Sequence, residues 1–564
     1  MAARGTMRRP GRWDVPFSAE MTDGDVDRVL ALAPFHSIDA SLFPPNVALH
    51  DIVRNDARLE HCRRGLVIVR EGDYGNSTFV VLSGTVGVVI DRAVGAALAN
   101  RGRRRHLSIW SSLAQLWRQA DVPERRDLSR YGGSALVGLA EDAEGDARPV
   151  VNDLDALLAK HSVVTIGEGE MFGEIAALSR TPRTASVIAL SDCELLELRW
   201  QGLREIRRRD PAFRARIDHL YLTRSLKSHL AEAPLFEHLD ESALAHIVGE
   251  TQFETYGEFE WFSSFKRQIE GTDESHVIEQ EPTIAGQGDY ADGLVLVRAG
   301  FARISEKLGH GQRTVGYATT NDLFGLAEIV NHAERDEPLA YQYSLSAIGY
   351  VDILRVPTLL IEQYVLPRLG GARRAELVRS KIATDSLGQS LINFLVDRRI
   401  VNGTATMMIN TERCVGCDDC VRACAAAHDS NPRFIRHGPE HGKFMIANAC
   451  MHCQDPVCLI GCPTGAIHRL PDDGRVIIND ATCIGCGTCA NSCPYSNIRM
   501  VEIRNRDGAF IVDDATGAPI VKATKCDLCV DQLGGPACQR ACPHDALVRI
   551  DMRDQAALAD WIKR

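Results

Sequence analysis

Apolar and polar positions alternate with period two in two widely separated stretches of the chain, each bounded by Gly-Asp turns. The first holds Ile68-Val-Arg70-Glu71-Gly72-Asp73 and Phe79-Val-Val-Leu82-Ser-Gly84-Thr-Val86. The second holds Ile284-Ala-Gly286-Gln-Gly288-Asp289 and Leu294-Val-Leu296-Val-Arg-Ala-Gly300-Phe-Ala-Arg-Ile304. A short helix start precedes each, at Leu30-Ala-Leu-Ala-Pro34 and Leu230-Ala-Glu-Ala-Pro234. Period-two alternation closed by glycine turns predicts strands, so the chain carries two copies of a β-rich module.

Between the copies the pattern changes to a helical run over 201–231, which Pro211 should kink or restart. A second helical stretch, 373–399, offers Leu377, Ile382, Leu387, Leu391 and Leu395 to one buried face. The first copy contains an insertion at about 92–159. Within it Leu107, Trp110, Leu113 and Trp117 stand at helical spacing behind the solvated run Arg101-Gly-Arg103-Arg104-Arg105. These breaks divide the chain into an extension (1–24), a first module (25–225), a second module (226–372), a helical linker (373–405), a cysteine-rich domain (406–552) and a tail (553–564).

At 564 residues the chain exceeds one core, and its 45% hydrophobic and 25% charged residues are those of an ordinary globular protein. A formal net charge of -11 argues against nucleic-acid binding. No apolar run is long enough to span a bilayer, and Arg4, Arg8, Arg9 and Arg12 precede no apolar stretch. A cytoplasmic location without a transmembrane segment is the expectation.

Cysteine changes the picture most. Of 18 cysteines, only Cys62 and Cys193 lie outside 414–542, and both suit the packed interior of the first β module as small apolar side chains. The others form four groups: Cys414, Cys417, Cys420, Cys424; Cys450, Cys453, Cys458, Cys462-Pro; Cys483, Cys486, Cys489, Cys493-Pro; and Cys526, Cys529, Cys538, Cys542-Pro. Two-residue gaps wrap a loop around one corner of a metal–sulfur cubane, and a final Cys-Pro reaches across to a second cluster. Zinc is the rival metal, held by paired Cys-x2-Cys knuckles, but it rarely uses three close cysteines followed by Cys-Pro.

These groups resemble the four-cluster ferredoxin-type electron-transfer subunits of dimethyl sulfoxide reductase, formate dehydrogenase and related complexes. The resemblance covers about 407–550 and implies four [4Fe-4S] clusters. It assigns one cluster to Cys414, Cys417, Cys420 and Cys542, and its mate to Cys526, Cys529, Cys538 and Cys424. A third falls to Cys450, Cys453, Cys458 and Cys493, and the fourth to Cys483, Cys486, Cys489 and Cys462. Subunits of this kind move electrons and do no bond chemistry, so the implied partner is a catalytic oxidoreductase subunit of molybdopterin, hydrogenase or flavin type.

In the first module, Met171-Phe172-Gly173-Glu174-Ile175-Ala176 and Pro182-Arg183-Thr184-Ala185 resemble the phosphate-binding cassette of the cyclic nucleotide-binding domain family. Gly173 would let backbone approach the ligand, Arg183 would bond the cyclic phosphate, Glu174 would accept the ribose 2′-OH, and Thr184 stands where a hydroxyl can favour guanine. Cyclic AMP or cyclic GMP is the implied ligand. The second module keeps Phe324-Gly325 but carries its acidic residue at Glu328, and 338–347 holds no arginine, so it is expected to be structural; Arg335 would substitute only through an unusual loop.

The expected architecture is therefore α+β and multidomain: two cyclic nucleotide-binding β-rolls with flanking helices, then a tandem bacterial-ferredoxin-like domain. Three functions stay open. One is an electron-transfer subunit tuned by a cyclic nucleotide, another a ferredoxin on ligand-free docking or dimerisation scaffolds, and the third a redox-sensing regulator acting through protein binding. No GxGxxG after a strand, P-loop, flavin fingerprint or nucleophile–base pair indicates a catalytic site, and no helix-turn-helix pattern follows Val356.

Overall fold

The computed structural model describes residues 6–89, 137–266, 281–370 and 389–563 together with Arg374, apart from gaps of one to five residues within these stretches. Contacts divide the chain into two compact units. One comprises Ser18–Ala177 and Pro182–Phe213; the other comprises Met1–Phe17, Leu178–Thr181 and Arg214–Arg564. The insertion helix expected around Leu107 to Trp117, its arginine run, and Leu377, Ile382 and Leu387 of the linker lie outside the described residues.

The first unit is a β-roll of two four-stranded antiparallel sheets. One runs in the order Val67–Val69, Ser186–Ala189, Val86–Val89, Val163–Ile166, and the other Ala57–Cys62, Cys193–Arg199, Ser77–Ser83, Met171–Phe172. Alternate inward residues, among them Phe79, Val81, Val86, Phe172, Val187 and Leu195, fill the space between them. Cys62 and Cys193 sit directly opposite one another in the ladder and are both buried, as small core side chains. A hydrogen bond from Cys62 draws the Cys193 thiol below its ordinary value. Thr22 and Asp25 form a capping box at the start of the helix Asp23–Leu30. The helical run after the roll breaks where expected: Trp200–Arg209 ends at Asp210, and a new helix starts on Pro211. There the Phe213 N–H donates to the Asp210 carboxylate at 2.8 Å, and proline at the first helical position loses no bond.

The second unit contains the repeat and the cysteine-rich domain together. Its β-roll is one six-stranded sheet built on two long paired strands, Gly293–Leu308 and Ser344–Pro357. Repeat and prototype agree bond for bond. Gly72 and Asp73 exchange backbone hydrogen bonds with Arg183 (2.8 and 2.7 Å), and Gly288 and Asp289 do so with Tyr341 (2.9 and 3.0 Å). The Glu71 N–H donates to Ser186 Oγ, and the Gln287 N–H to Ser344 Oγ, each at 3.0 Å.

The cysteine-rich domain has a four-stranded sheet in the order Glu440–His441, Phe444–Ile446, Thr406–Asn410, Leu547–Ile550, with two hairpins and short helices around it. It shares a core with the second roll. Phe301 and Ile348 of the roll, Leu391 and Leu395 of the helix Gln389–Asp397, and Met408, Met451 and Trp561 form one buried cluster. The helix Gln555–Lys563 supplies Trp561. Two arginines fasten this junction. Fully buried Arg303 bonds both oxygens of Glu281 at 2.9 Å and Asp397 at 2.7 Å. Arg399, held at φ 53°, packs against both rings of the edge-on pair Trp261 and Phe265, 4.3 and 4.2 Å from their centres.

Candidate functional site

The first Cys-x2-Cys loop of each cysteine group makes the same turn. Its third residue is left-handed in all four: Gly416 at φ 74°, His452 at 50°, Gly485 at 67° and Leu528 at 59°. That conformation aims the N–H of the third residue at the first sulfur, as His452 does on Cys450 Sγ and Leu528 on Cys526 Sγ, both at 3.4 Å. Glycine fills two of the positions because it adopts positive φ at least cost.

The loops bring the sixteen cysteines into four sets of four. Cys414, Cys417, Cys420 and Cys542 line one cavity with Ile409 and Leu547. Cys462, Cys483, Cys486 and Cys489 line another. Cys424 lies in the field of Cys526, Cys529 and Cys538; burial first, and then those neighbours, push its thiol up to about 12. Cys453 lies in the field of Cys450, Cys458 and Cys493, and burial with that company drives it well above the usual thiol range. Burial and mutual charge thus oppose ionisation at sites where four sulfurs converge, an arrangement that a cationic metal core reverses by deprotonating the thiols it binds. The donor sets fit [4Fe-4S] clusters.

Cys417 and Cys486 are exposed, whereas Cys424, Cys526, Cys529 and Cys538 are all buried. The sets of Cys417 and Cys486 therefore reach the protein surface.

In the first roll, Gly173 at φ 81° opens the helix Glu174–Ser179, and Glu174 is buried beside it. Arg183 is buried too, and Thr184 is half-buried in the turn that follows. The Arg183 guanidinium donates to the Gly173 carbonyl at 2.6 Å and the Ser77 carbonyl at 2.8 Å, and lies 5.7 Å from the centre of the Phe79 ring. Burial pushes it down to about 10, opposed by the charges of Glu197, Glu174 and Asp73. Three of the four expected residues therefore surround one spot: Gly173, Glu174 and Arg183.

The second roll shows what replaces the arginine. Tyr341 occupies the Arg183 position, and its hydroxyl donates at 2.7 Å to the Gly293 carbonyl, the counterpart of the Ser77 carbonyl. Its ring stacks on Phe324 at 5.3 Å, and burial pushes the phenol up to about 12. The Glu328 carboxylate accepts from the Gln342 N–H at 3.0 Å, and Arg335 lies 3.7 Å from Glu337.

Comparison with known proteins matches residues 442–553 to the 4Fe-4S dicluster domain and residues 158–210 to the cyclic nucleotide-binding domain. The electron transport protein HydN of Escherichia coli (strain K12) is 35% identical over 158 residues, 26% of this chain and 87% of HydN. The chain belongs to the 4Fe-4S dicluster electron-transport family. The arsenate respiratory reductase iron-sulfur subunit ArrB of Shewanella sp. (strain ANA-3) is 30% identical over 204 residues, 28% of this chain and 86% of ArrB. AegA of Escherichia coli (strain K12) is 33% identical over 149 residues, and the chain spans 21% of its length. Among solved structures, the regulatory domain of Toxoplasma gondii PKA with cAMP is 16% identical over 64% of this chain and 97% of that one, with a TM-score of 0.20. No helix among the described residues is long and apolar enough to cross a membrane.

For a dicluster protein, the side chains that touch the sulfurs matter as much as the cysteines, and these were not legible from spacing. Arg549 Nη2 donates to Cys526 Sγ at 3.0 Å, Arg436 Nη1 to Cys414 Sγ at 3.9 Å, and His428 Nε2 lies 3.7 Å from Cys529 Sγ. In the roll, Gly75 escaped notice. A Cβ there would come within 2.1 Å of Arg183 Nε, whereas the second roll, with tyrosine, has Ala291 at that position. That paired change was the readable signal.

Proposed function

We propose that this chain carries electrons through four [4Fe-4S] clusters on behalf of a catalytic oxidoreductase, and that a cyclic nucleotide in the first roll tunes its docking or output. The observation that carries the reading is the convergence of sixteen cysteines into four sets of four, two of which reach the surface through Cys417 and Cys486. Cys414, Cys417, Cys420 and Cys542 would hold one cluster and Cys424, Cys526, Cys529 and Cys538 its mate. Cys450, Cys453, Cys458 and Cys493 would hold the third, and Cys462, Cys483, Cys486 and Cys489 the fourth. Bound clusters supply one-electron storage and relay; the chain supplies the thiolates, N–H donors to them, and an apolar wall against water. HydN is an electron transport protein and ArrB a reductase's iron-sulfur subunit, which supports a partner of molybdopterin, hydrogenase or flavin type.

In the same reading the roll at 25–225 is the regulatory domain. Gly173 and the helix N-terminus at Glu174 would receive the cyclic phosphate, Arg183 would neutralise it, Glu174 would accept the ribose hydroxyl, and Thr184 would face the base. The roll at 226–372 is structural, because Tyr341 brings no cation. Calorimetric titration with cyclic AMP and cyclic GMP tests the assignment: saturable heat supports it, and a flat trace with both refutes it. A second reading draws on one observation. Arg183 and Tyr341 serve equivalent backbone carbonyls, so both rolls would be ligand-free scaffolds. The flat trace is its expected result.

A further inference from the structure

Four sites with identical thiolate ligands differ in what else touches the sulfur, and hydrogen bonds, charge and solvent exposure set the potential of a [4Fe-4S] centre. At the set of Cys462, Cys483, Cys486 and Cys489 the side-chain contacts are hydroxyls, Thr464 on Cys462 at 3.8 Å and Thr488 on Cys486 at 3.4 Å. At the set of Cys450, Cys453, Cys458 and Cys493 the donors are backbone N–H groups, from His452 to Cys450 and from Tyr495, Asn497 and Ile498 to Cys493, and the buried Lys525 ammonium, bonded to the Val476 and Cys526 carbonyls, acts on Cys458 through its field without a bond to sulfur. At the set of Cys414, Cys417, Cys420 and Cys542, Arg436 stands 3.9 Å from Cys414, but the same guanidinium bonds Asp418 at 2.8 Å, which offsets its charge.

At the remaining set a guanidinium bonds sulfur at 3.0 Å, and the buried Asp527 carboxylate beside Cys529 is itself paired with Arg433 at 3.0 Å. Cys424 accepts from the Arg433 N–H at 3.2 Å, Cys526 from the Leu528 N–H at 3.4 Å, and Cys529 from the Ala537 N–H at 3.4 Å. Cys526 also accepts from Arg549 Nη2 at 3.0 Å. Arg549 lies on the strand Leu547–Ile550, opposite Met407 in the central ladder, so the sheet fixes where its side chain starts. Its Nη1 donates to the carbonyls of Ala405 (3.0 Å) and Cys450 (3.2 Å). These acceptors are neutral, so no carboxylate among its bonded partners cancels the charge. Two effects compete at this site. Burial of all four cysteines disfavours the extra negative charge of a reduced centre. The same low dielectric strengthens the attraction of a cation in contact with sulfur, and contact outweighs a diffuse solvation loss.

We propose that Arg549 makes the set of Cys424, Cys526, Cys529 and Cys538 the highest in reduction potential of the four, so that an electron entering the chain comes to rest there. The inference rests on the four-cluster reading. Arg549 acts as a positioning residue through Cys526, and its bond to the Cys450 carbonyl ties this set to the neighbouring one.

The test is a potentiometric titration, followed by electron paramagnetic resonance, of the anaerobically purified full chain, with iron and sulfide counted in every preparation. A Cys538→Ser variant assigns the signal of this site. In the unaltered protein that signal is expected to be the first to appear on reduction. Arg549→Met is expected to move its midpoint to lower potential and leave the other three in place, with iron content unchanged, while Arg549→Lys recovers part of the shift. Should Arg549→Met fail to assemble the centre, Arg549→Gln against Arg549→Lys carries the comparison, with Gln the lower. An unchanged midpoint in fully loaded variants, or a first signal from another site, overturns the proposal alone. An unaltered chain without clusters overturns the four-cluster reading beneath it.

Discussion

Arg183→Tyr converts the first roll into a copy of the second at the position where one carries a cation for a phosphate and the other does not. The new phenol is placed to keep the bond to the Ser77 carbonyl, as Tyr341 does with Gly293. It loses one of two bonds to the Gly173 carbonyl, which still accepts from the Ala177 N–H at 3.3 Å, a cost of about 0.5–1.5 kcal/mol. It gains ring packing on Phe172, worth about 0.5–1.5 kcal/mol on the pattern of Phe324 and Tyr341. It also removes a buried cation. Burial lowers that guanidinium to about 10 from its ordinary 12.5, a penalty of roughly 3 kcal/mol. Because the folded value lies below the unfolded one, the penalty is complete at neutral pH and relaxes only above about pH 10. The first two terms nearly cancel, and removal of the buried cation leaves the variant more stable than the parent by about 3 kcal/mol. Cyclic nucleotide binding is another matter. Loss of the Arg183 cation at the phosphate should weaken it by about 2–5 kcal/mol, thirtyfold to several thousandfold. Denaturant unfolding with and without ligand reads both quantities. Ligand at a hundred times the parent's Kd should stabilise the parent by about 2.7 kcal/mol and the variant by less than about 1 kcal/mol. Equal stabilisation of both proteins would refute the reasoning.

Three further outcomes follow from the same geometry. Tyr341→Phe strands the Gly293 carbonyl and should cost about 1–3 kcal/mol in urea unfolding, with no effect on nucleotide binding. Arg399→Ala removes the guanidinium packed against the Trp261 and Phe265 rings and should lower stability by about 2–4 kcal/mol; calorimetry should then resolve the second roll and the cysteine-rich domain as separate transitions. Removing iron with oxidant and chelator should deprotect the amides of the sheet centred on Thr406–Asn410 in hydrogen exchange while the first roll keeps its protection.

Sequence carried the cysteine sets and the repeat because both are written in local spacing. Two-residue gaps fix a loop, and Gly-Asp turns fix a strand end, whatever the rest of the chain does. The missing arginine of the second roll was visible for the same reason, although the role of Tyr341 in its place was not. The junction between the second roll and the cysteine-rich domain was not legible. Trp261 and Arg399 lie far apart in the chain, the Trp261 indole donates to Asp455 at 3.2 Å, and no periodicity encodes a contact between such distant loops. Arg549 was hidden in another way. It belongs to a strand whose alternation says which face it occupies, but not that the face meets a sulfur. The left-handed third residue in the first Cys-x2-Cys loop of each group was suggested by glycine at Gly416 and Gly485 and concealed by His452 and Leu528.

The metal content of anaerobically purified protein tests the account at its root. Four cubanes require about sixteen irons and as many acid-labile sulfides per chain, with broad visible absorbance bleached by a strong reductant. Stoichiometric zinc with little iron or sulfide would contradict it.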